Sequence, residues 1–446
     1  MSKNKTLSAA KSAKNDEFYT QYNDIQKEVN AYLDYNPDTF RGKTVLLPCD
    51  DPEWSKFTRF FAENFERLGL KKLISTSYAA ASKKIFNAEA QRRGGGRAGA
   101  PRTPSWYQPS LFEQQSPQFD EEKTAVRGKI FVLDHDTNKS GRIDLDDLQW
   151  NYMEGDGDFR SEEVCRLRDE ADVIVTNPPF SLFREFLAWI LEGRCLKQSR
   201  RGAEEVGSRV PRDCDGNVLA TKNTKSTKQF LIIGNMNTTT TRDVFPLIMN
   251  NGLWLGESIH SGDREFQVPK EYPLEAAGWR VDEAGNHFIR VKGVRWFTNL
   301  EHGRRHRPLE LMTLADNIKY SKHKEVRGVG YRHYDNFDAI DVPYTDAIPS
   351  DYDGVMGVPV TFLDKFCPEQ FEIVGITKTW FGAATKTYPE QVQVDANGTR
   401  KTVTKLNDGA VLKIDAPLHG ATYYEIGNEK FIQTYPRILI RARRGK

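Results

Sequence analysis

Cysteine is scarce: Cys49, Cys165, Cys195, Cys214 and Cys367 are the only five in 446 residues, and no two stand in CxxC spacing. That scatter offers neither a disulfide framework nor a zinc site, so the thiols read as free or buried. Long apolar runs are missing as well, none approaching the roughly 18 residues that cross a bilayer. Met1-Ser2-Lys3-Asn4-Lys5 lacks the apolar region of a signal peptide, so the expectation is a cytoplasmic chain with no membrane partner. An excess of one charge is also absent. With 64 Lys and Arg against 62 Asp and Glu the net charge is +2, which by itself does not announce a nucleic-acid binder. Distribution of charge has to decide that. No internal repeat is present. What the chain does have is 38% apolar and 11% aromatic residues, enough for two domains and a sizeable core.

The first half alternates strand and helix patterns. Short apolar strands are expected at 43–47, 72–76, 129–133, 172–176 and 229–234. A helix is expected from Trp54 to Leu68, with Phe57, Phe60, Phe61, Phe65 and Leu68 along one face. Such alternation implies a parallel, doubly wound α/β sheet. Two stretches interrupt it: residues near 88–120, with Gly94-Gly95-Gly96 and several prolines and serines, and residues near 195–228, rich in Arg and Lys. Both read as mobile insertions.

The segment Thr176-Asn177-Pro178-Pro179-Phe180 follows directly on the apolar run ending at Val175. An isolated Asn-Pro is a common turn opener. Here, however, Leu182, Phe183, Phe186, Leu187, Ile190 and Leu191 recur at helical spacing just beyond it, which places it at the carboxyl end of a buried strand, where open α/β sheets hold ligands. The Asn177 side-chain carbonyl and the Pro178 main-chain carbonyl can both accept hydrogens from one planar amine. They favour the pyramidal, positively charged nitrogen that develops during methyl transfer. Pro178 and Pro179 restrict the backbone so that the acceptors stand ready, and Phe180 offers a face for an extruded base.

With that motif in place the chain resembles the EcoRI-type adenine-specific DNA methyltransferases. The resemblance is carried by 15–21 (NDEFYTQ), 47–57 (LPCDDPEWSKF), 155–161 (GDGDFRS), Thr176 to Phe180, 293–300 (GVRWFTNL) and 357–364 (GVPVTFLD). It implies a Rossmann-like, doubly wound methyltransferase sheet over 1–300 and a C-terminal α+β DNA target-recognition domain over 301–446. It also implies S-adenosylmethionine as cofactor, double-stranded DNA as partner, and transfer to a flipped-out adenine N6 by Asn177, Pro178, Pro179 and Phe180. A role in restriction–modification or in protection of phage or mobile-element DNA goes with it, and a monomer is the simpler expectation. Phe18, Tyr19 and Thr20 correspond to the N-terminal cofactor motif, with Thr20 or Gln21 on the methionine carboxylate. Asp158 corresponds to an acceptor for the cofactor's adenine amine, and Phe159 to a surface against its ring. The loop Pro48-Cys49-Asp50-Asp51-Pro52 stands where a Gly-rich turn is usual, yet holds no glycine. Asp50 or Asp51 either binds the cofactor ammonium or caps the helix beginning near Trp54. The second strand ends in Ser75-Thr76-Ser77, without the usual ribose-binding acid, so the ribose ligand stays open.

Two further patterns call for chemistry. Asp136 to Asp147 matches the twelve-residue calcium-loop spacing, with oxygen side chains at positions 1, 3, 5, 9 and 12 and Gly at 6. Its entry from a strand, Asp in place of Glu at the end, and the lack of a second loop argue against it, and methyl transfer from a sulfonium needs no metal. The second half is basic: Arg295, Arg304, Arg305, Arg307, Lys319, Lys322, Lys324, Arg327 and Arg332 alternate with aromatic residues. The first four are the candidate DNA contacts, although a solvated charged face is the ordinary reading of such a run. His302, His306, His323 and His333 fit no metal spacing. An RNA or protein-glutamine methyltransferase, or a silent nucleic-acid-binding relative, are the competing functions.

Overall fold

The computed structural model describes residues 20–48, 50, 55–79, 117–192, 228–258, 264–268, 278–416 and 420–443. Phe18, Tyr19, Cys49 and Asp51 lie outside that set, as do both expected insertions apart from 117–120 and Lys228. The fold is mixed α/β, with parallel and antiparallel sheets. The chain forms two units: Met1–Gln26, Pro37–Ile233 and Glu265–Arg290 make the first, and Lys27–Asn36, Gly234–Arg264 and Val291–Lys446 make the second.

In the first unit, strands β1 (Thr44–Leu47), β2 (Lys72–Ser77), β3 (Lys129–Leu133), β4 (Gln149–Tyr152), β5 (Val173–Thr176) and β6 (Gln229–Asn235) lie in the order β4-β3-β2-β1-β5-β6. β1 runs parallel to both β2 and β5, and β5 runs parallel to β6. The strand order therefore reverses between β1 and β5, which opens a crevice at their carboxyl ends. One expectation is corrected. β3 runs antiparallel to β2, and β4 antiparallel to β3. Burial explains the difference: β1 and β5 are buried at every residue, whereas β3 alternates buried and half-buried. An outer strand with one covered face has no need of a parallel crossover. The run Ile130-Phe131-Val132-Leu133 reads as continuously apolar and hides this.

Helix α1 (Lys56–Glu63) is shorter than the expected Trp54–Leu68. Ser55 caps it by accepting from Phe57 N, Asn64 ends it, and a separate turn, Phe65–Leu68, stops at Gly69 in the left-handed region. The expected face is nonetheless the buried one: Phe57, Phe60, Phe61, Phe65 and Leu68 are all in the core, each contributing on the order of 2 kcal/mol. Helices α2 (Glu162–Glu170) and α3 (Phe183–Glu192) flank β5 in sequence, and Ser161 caps α2 through Val164 N.

The turn before α2 is pressed onto the end of β2. Ala79 N donates to Asp156 O at 2.8 Å. A Cβ on Gly157, whose φ is +83°, would stand 2.2 Å from Ser77 O, and one on Gly128 would stand 2.6 Å from the same atom. Only glycine permits that approach.

The second unit is mostly antiparallel β. One five-stranded sheet runs Arg332–His333, Ile340–Asp341, Met356–Pro359, Arg437–Ala442, Phe371–Ile376, with a parallel pairing only between Ile340–Asp341 and Met356–Pro359. The other runs Arg400–Val403, Gln391–Val394, Tyr423–Ile426, Glu429–Gln433, Val411–Ile414 and is antiparallel throughout. Tyr334, Phe337, Ala339, Ala410, Leu412 and Leu439 pack together with residues from both. Among the described residues no helix is long and apolar enough to cross a membrane.

Gly157→Ala is expected to lower unfolding free energy by about 2–4 kcal/mol, through the Ser77 clash and the positive φ. Urea denaturation checks it, and an unchanged midpoint would contradict the packing described.

Candidate active site at the carboxyl edge of the parallel strands

Thr176 is the last residue of β5, and its hydroxyl lies 2.5 Å from Asp50 Oδ2 and 2.9 Å from Pro48 O. A hydroxyl has one hydrogen, and the carboxylate oxygen is the nearer acceptor. Asp50 is only 8% exposed. Its Oδ1 accepts from Ser55 Oγ at 2.8 Å, and its main-chain carbonyl accepts from Ser75 Oγ and from Thr58 Oγ1. One residue thus joins the ends of β1 and β5, the first turn of α1 and the end of β2. Of the two sequence expectations for Asp50, the direct cap falls to Ser55, and Asp50 braces both Ser55 and Thr176.

The claw continues from that brace. Asn177 is half-buried, Pro178 buried, and Pro179 and Phe180 half-buried. Leu182 N donates to Pro179 O at 2.9 Å and closes the turn into α3. Phe180 meets Phe266 edge to face, with ring centroids 6.3 Å apart. A pair of carbonyl acceptors, on half-buried Asn177 and buried Pro178, standing on a braced turn beside an aromatic ring has the chemistry to receive an amine-bearing planar ring.

A second set of groups collects nearby in sequence and contact. Thr20 Oγ1 and Gln21 Nε2 are buried with no hydrogen-bond partner among the described residues. The Lys56 ammonium lies 3.2 Å from Gln21 Oε1 and 3.2 Å from Gln267 Oε1. Burial, and secondarily the charge of Arg59, lowers the Lys56 pKa below its ordinary value. Two orphaned donors and a cation held by neutral amides suit a small anion such as a carboxylate. The sequence assigns no separate role to Lys56 or to the Thr176 hydroxyl, both of which stand inside longer motifs.

Asp158 is engaged within the chain. Arg160 donates to it through Nε at 2.9 Å and Nη2 at 2.6 Å, and also reaches Glu185 at 3.1 Å. Burial pushes the Asp158 carboxyl up, but the bonds and charge of Arg160, with a bond from Tyr78, outweigh it and hold the pKa below the usual range. Phe159 is fully buried, its ring 5.0 Å from Phe186 and 5.6 Å from Trp189. Tyr78, directly after β2, was not singled out from sequence.

Comparison with known proteins gives the family. The family model of the adenine-specific methyltransferase EcoRI matches residues 6–194 and 220–443, passing over most of the second expected insertion. The chain belongs to this family. Type II methyltransferase M.EcoRI of Escherichia coli is 36% identical over 375 residues, 84% of this chain and 90% of that protein. Type II methyltransferase M.MpnI of Mycoplasma pneumoniae is 30% identical over 368 residues, 82% of this chain and 83% of that protein. No solved structure matches the chain. The protein is a DNA adenine methyltransferase, and the family implies a methyl donor.

In this methyltransferase the four candidate DNA arginines do not form one open surface. Arg295 makes a paired contact with Asp364 at 2.6 and 3.0 Å, with side chains 11% and 8% exposed. Arg305 is buried, lies 3.8 Å from the centre of the Trp254 ring and donates to Asn251. Arg304 is half-buried, its backbone N–H on Glu257 Oε2 at 2.8 Å. Arg307 alone of the four is exposed. The calcium-like loop also turns inward. Asp147 Oδ1 accepts from the backbone of Thr137 and Asn138, and Asp136 accepts from Ser140 N and Gly141 N. Among the described residues no three His, Cys, Asp or Glu side chains are grouped to hold a metal.

Two outcomes are expected. Thr176→Val should lower turnover by about tenfold or more while leaving DNA affinity near wild type, because the claw loses its brace but not its acceptors. Steady-state and single-turnover methylation rates measure this, and equal rates would remove the brace from the mechanism. Arg295→Ala should cost about 3–5 kcal/mol of stability by leaving Asp364 buried and unpaired, as read from the denaturation midpoint.

Proposed function

We propose that the protein is a site-specific adenine-N6 methyltransferase that uses S-adenosylmethionine and acts on an adenine flipped out of double-stranded DNA. Supporting this reading above all is the Asn177-Pro178 acceptor pair, held by the Thr176–Asp50 bond at the point where strand order reverses in a Rossmann-like sheet. The base amine donates to Asn177 Oδ1 and Pro178 O, while Phe180 lies against the ring. Those contacts turn the amine nitrogen outward and favour the charge that grows on it as the new bond forms. No base need remove a proton beforehand. Bound S-adenosylmethionine supplies an electrophilic methyl group on a sulfonium.

For the cofactor, Thr20, Gln21 and Lys56 are proposed to hold the carboxylate of the methionine tail, because their donors lack an anionic acceptor among the described residues. Asp50 acts beside them as the brace. Asp158 and Tyr78 are proposed at the nucleoside end, with Phe159 supporting that turn from the core. The family resemblance adds Phe18, Tyr19, Cys49 and Asp51. For DNA, Arg307 is proposed to reach phosphate, with Arg295, Arg304 and Arg305 stiffening the fold beneath it. The domain division proposed is a catalytic part over 1–300 and a target-recognition part over 301–446. The type II names of the relatives support a place in restriction–modification, with the enzyme working as a cytoplasmic monomer.

Sequencing DNA from cells that express the protein, by a method that detects modified bases, is expected to show N6-methyladenine within one recurrent sequence; unmodified DNA would sink the proposal. Asn177→Ala should reduce turnover by at least about a hundredfold with nearly intact DNA affinity. Lys56→Met should weaken binding of S-adenosylhomocysteine by about tenfold or more, yet leave binding of methylthioadenosine, which has no carboxylate, unchanged. Calorimetry separates the two ligands, and an equal loss for both would mean that Lys56 acts through the fold instead.

A further inference from the structure

The second unit carries a small, stiff, cationic projection between helix α4 (Leu314–Tyr320) and the strand Arg332–His333. Its base is anchored by Val326, which is fully buried. Backbone bonds then tie the tip down: Arg327 N to His323 O at 2.9 Å, Gly328 N to Ile318 O at 2.8 Å and Gly330 N to Val326 O at 2.9 Å. Gly328 and Gly330 have φ of +75° and +84°. Between them Val329 is held 68% exposed. Lone apolar side chains on a surface are ordinary, but this one is β-branched, stiff, and set on a hydrogen-bonded turn that two left-handed glycines force outward.

Charge surrounds it. Lys319, Lys324, Arg327 and Arg332 are exposed and have no ion-pair partner among the described residues. The nearby acids are already engaged. Asp346 is taken by Lys322 at 2.6 Å and His323 at 2.8 Å, Asp316 accepts from Thr313 Oγ1 at 2.7 Å, and Glu325 bonds the Tyr344 phenol. Spare cations around a rigid apolar point match one kind of surface: rows of phosphates with stacked base edges between them.

We propose that this tip docks on duplex DNA, with Lys319, Lys324, Arg327 and Arg332 against phosphates and Val329 wedged at a base step. The proposal rests on the reading of the chain as a DNA methyltransferase, and it names a surface that reading did not contain. The phosphate contacts set affinity and its salt dependence. The wedge opens the stack and so lowers the cost of distorting the duplex.

The test uses the full-length enzyme, S-adenosylhomocysteine and a duplex carrying the sequence that methylation mapping reports, with a fluorescent adenine analogue inside the site. Combining Lys324→Ala, Arg327→Ala and Arg332→Ala should make the plot of log affinity against log salt shallower by about 2–3. The corresponding charge-conserving variant, Arg327→Lys with Arg332→Lys, should keep the wild-type slope. Val329→Ala should keep the slope, weaken binding by about tenfold and reduce the fluorescence rise that marks unstacking. A triple variant with a wild-type melting midpoint and an unchanged slope overturns the docking surface. Val329→Ala with wild-type affinity and fluorescence overturns the wedge. Wild-type protein that neither binds nor methylates DNA overturns the underlying reading instead, so the two failures are distinguishable.

Discussion

One hydrogen bond organises the candidate catalytic edge: Thr176 Oγ1 to Asp50 Oδ2. β1 and β5 are neighbours in the sheet but distant in the chain, and side-by-side strands do not by themselves hold the loops beyond their ends. The bond joins those two loops. Because Asp50 also takes Ser55 Oγ, and its carbonyl takes Ser75 Oγ and Thr58 Oγ1, the ends of three parallel strands and one helix share a single anchor. An amide and a carbonyl can assist methyl transfer only if they stand still while the nitrogen changes shape. Such an anchor supplies that stillness, and it replaces the glycine turn that the loop after β1 lacks.

Positive charge in the second unit divides into two kinds. Arg295 and Arg305 serve the interior, one paired with Asp364 and the other lying on Trp254. Burying a guanidinium is tolerable only with such partners. Lys319, Lys324, Arg327 and Arg332 around Val329 are exposed and have no ion-pair partner among the described residues, Lys319 lying over the Tyr320 ring. A count of Lys and Arg along the chain cannot separate these kinds, since both belong to the same basic, aromatic stretch.

Much of the candidate site's local framework is legible in the sequence. The Thr176 to Phe180 segment, its position after a buried strand and the helix beyond it all follow from local pattern, as does the aromatic face of α1. Other features were not readable, for identifiable reasons. β3 spells an unbroken apolar run, so its antiparallel direction could not be told from that of a central strand. Asp50 could be weighed as a cap or an ammonium ligand, but its role as a brace depends on Thr176, which meets it only in the folded sheet. Lys56 gains meaning from Gln21 and Gln267, far from it in sequence.

Residue chemistry and spacing alone determined that this chain can carry an amine-gripping claw at a strand end, because those properties belong to a few consecutive residues. Tertiary structure alone decided what holds the claw rigid, which strands run antiparallel, and which arginines are interior. Each of these depends on groups many residues apart, and whether a donor meets an acceptor or a charge meets water is settled only when the chain has closed upon itself.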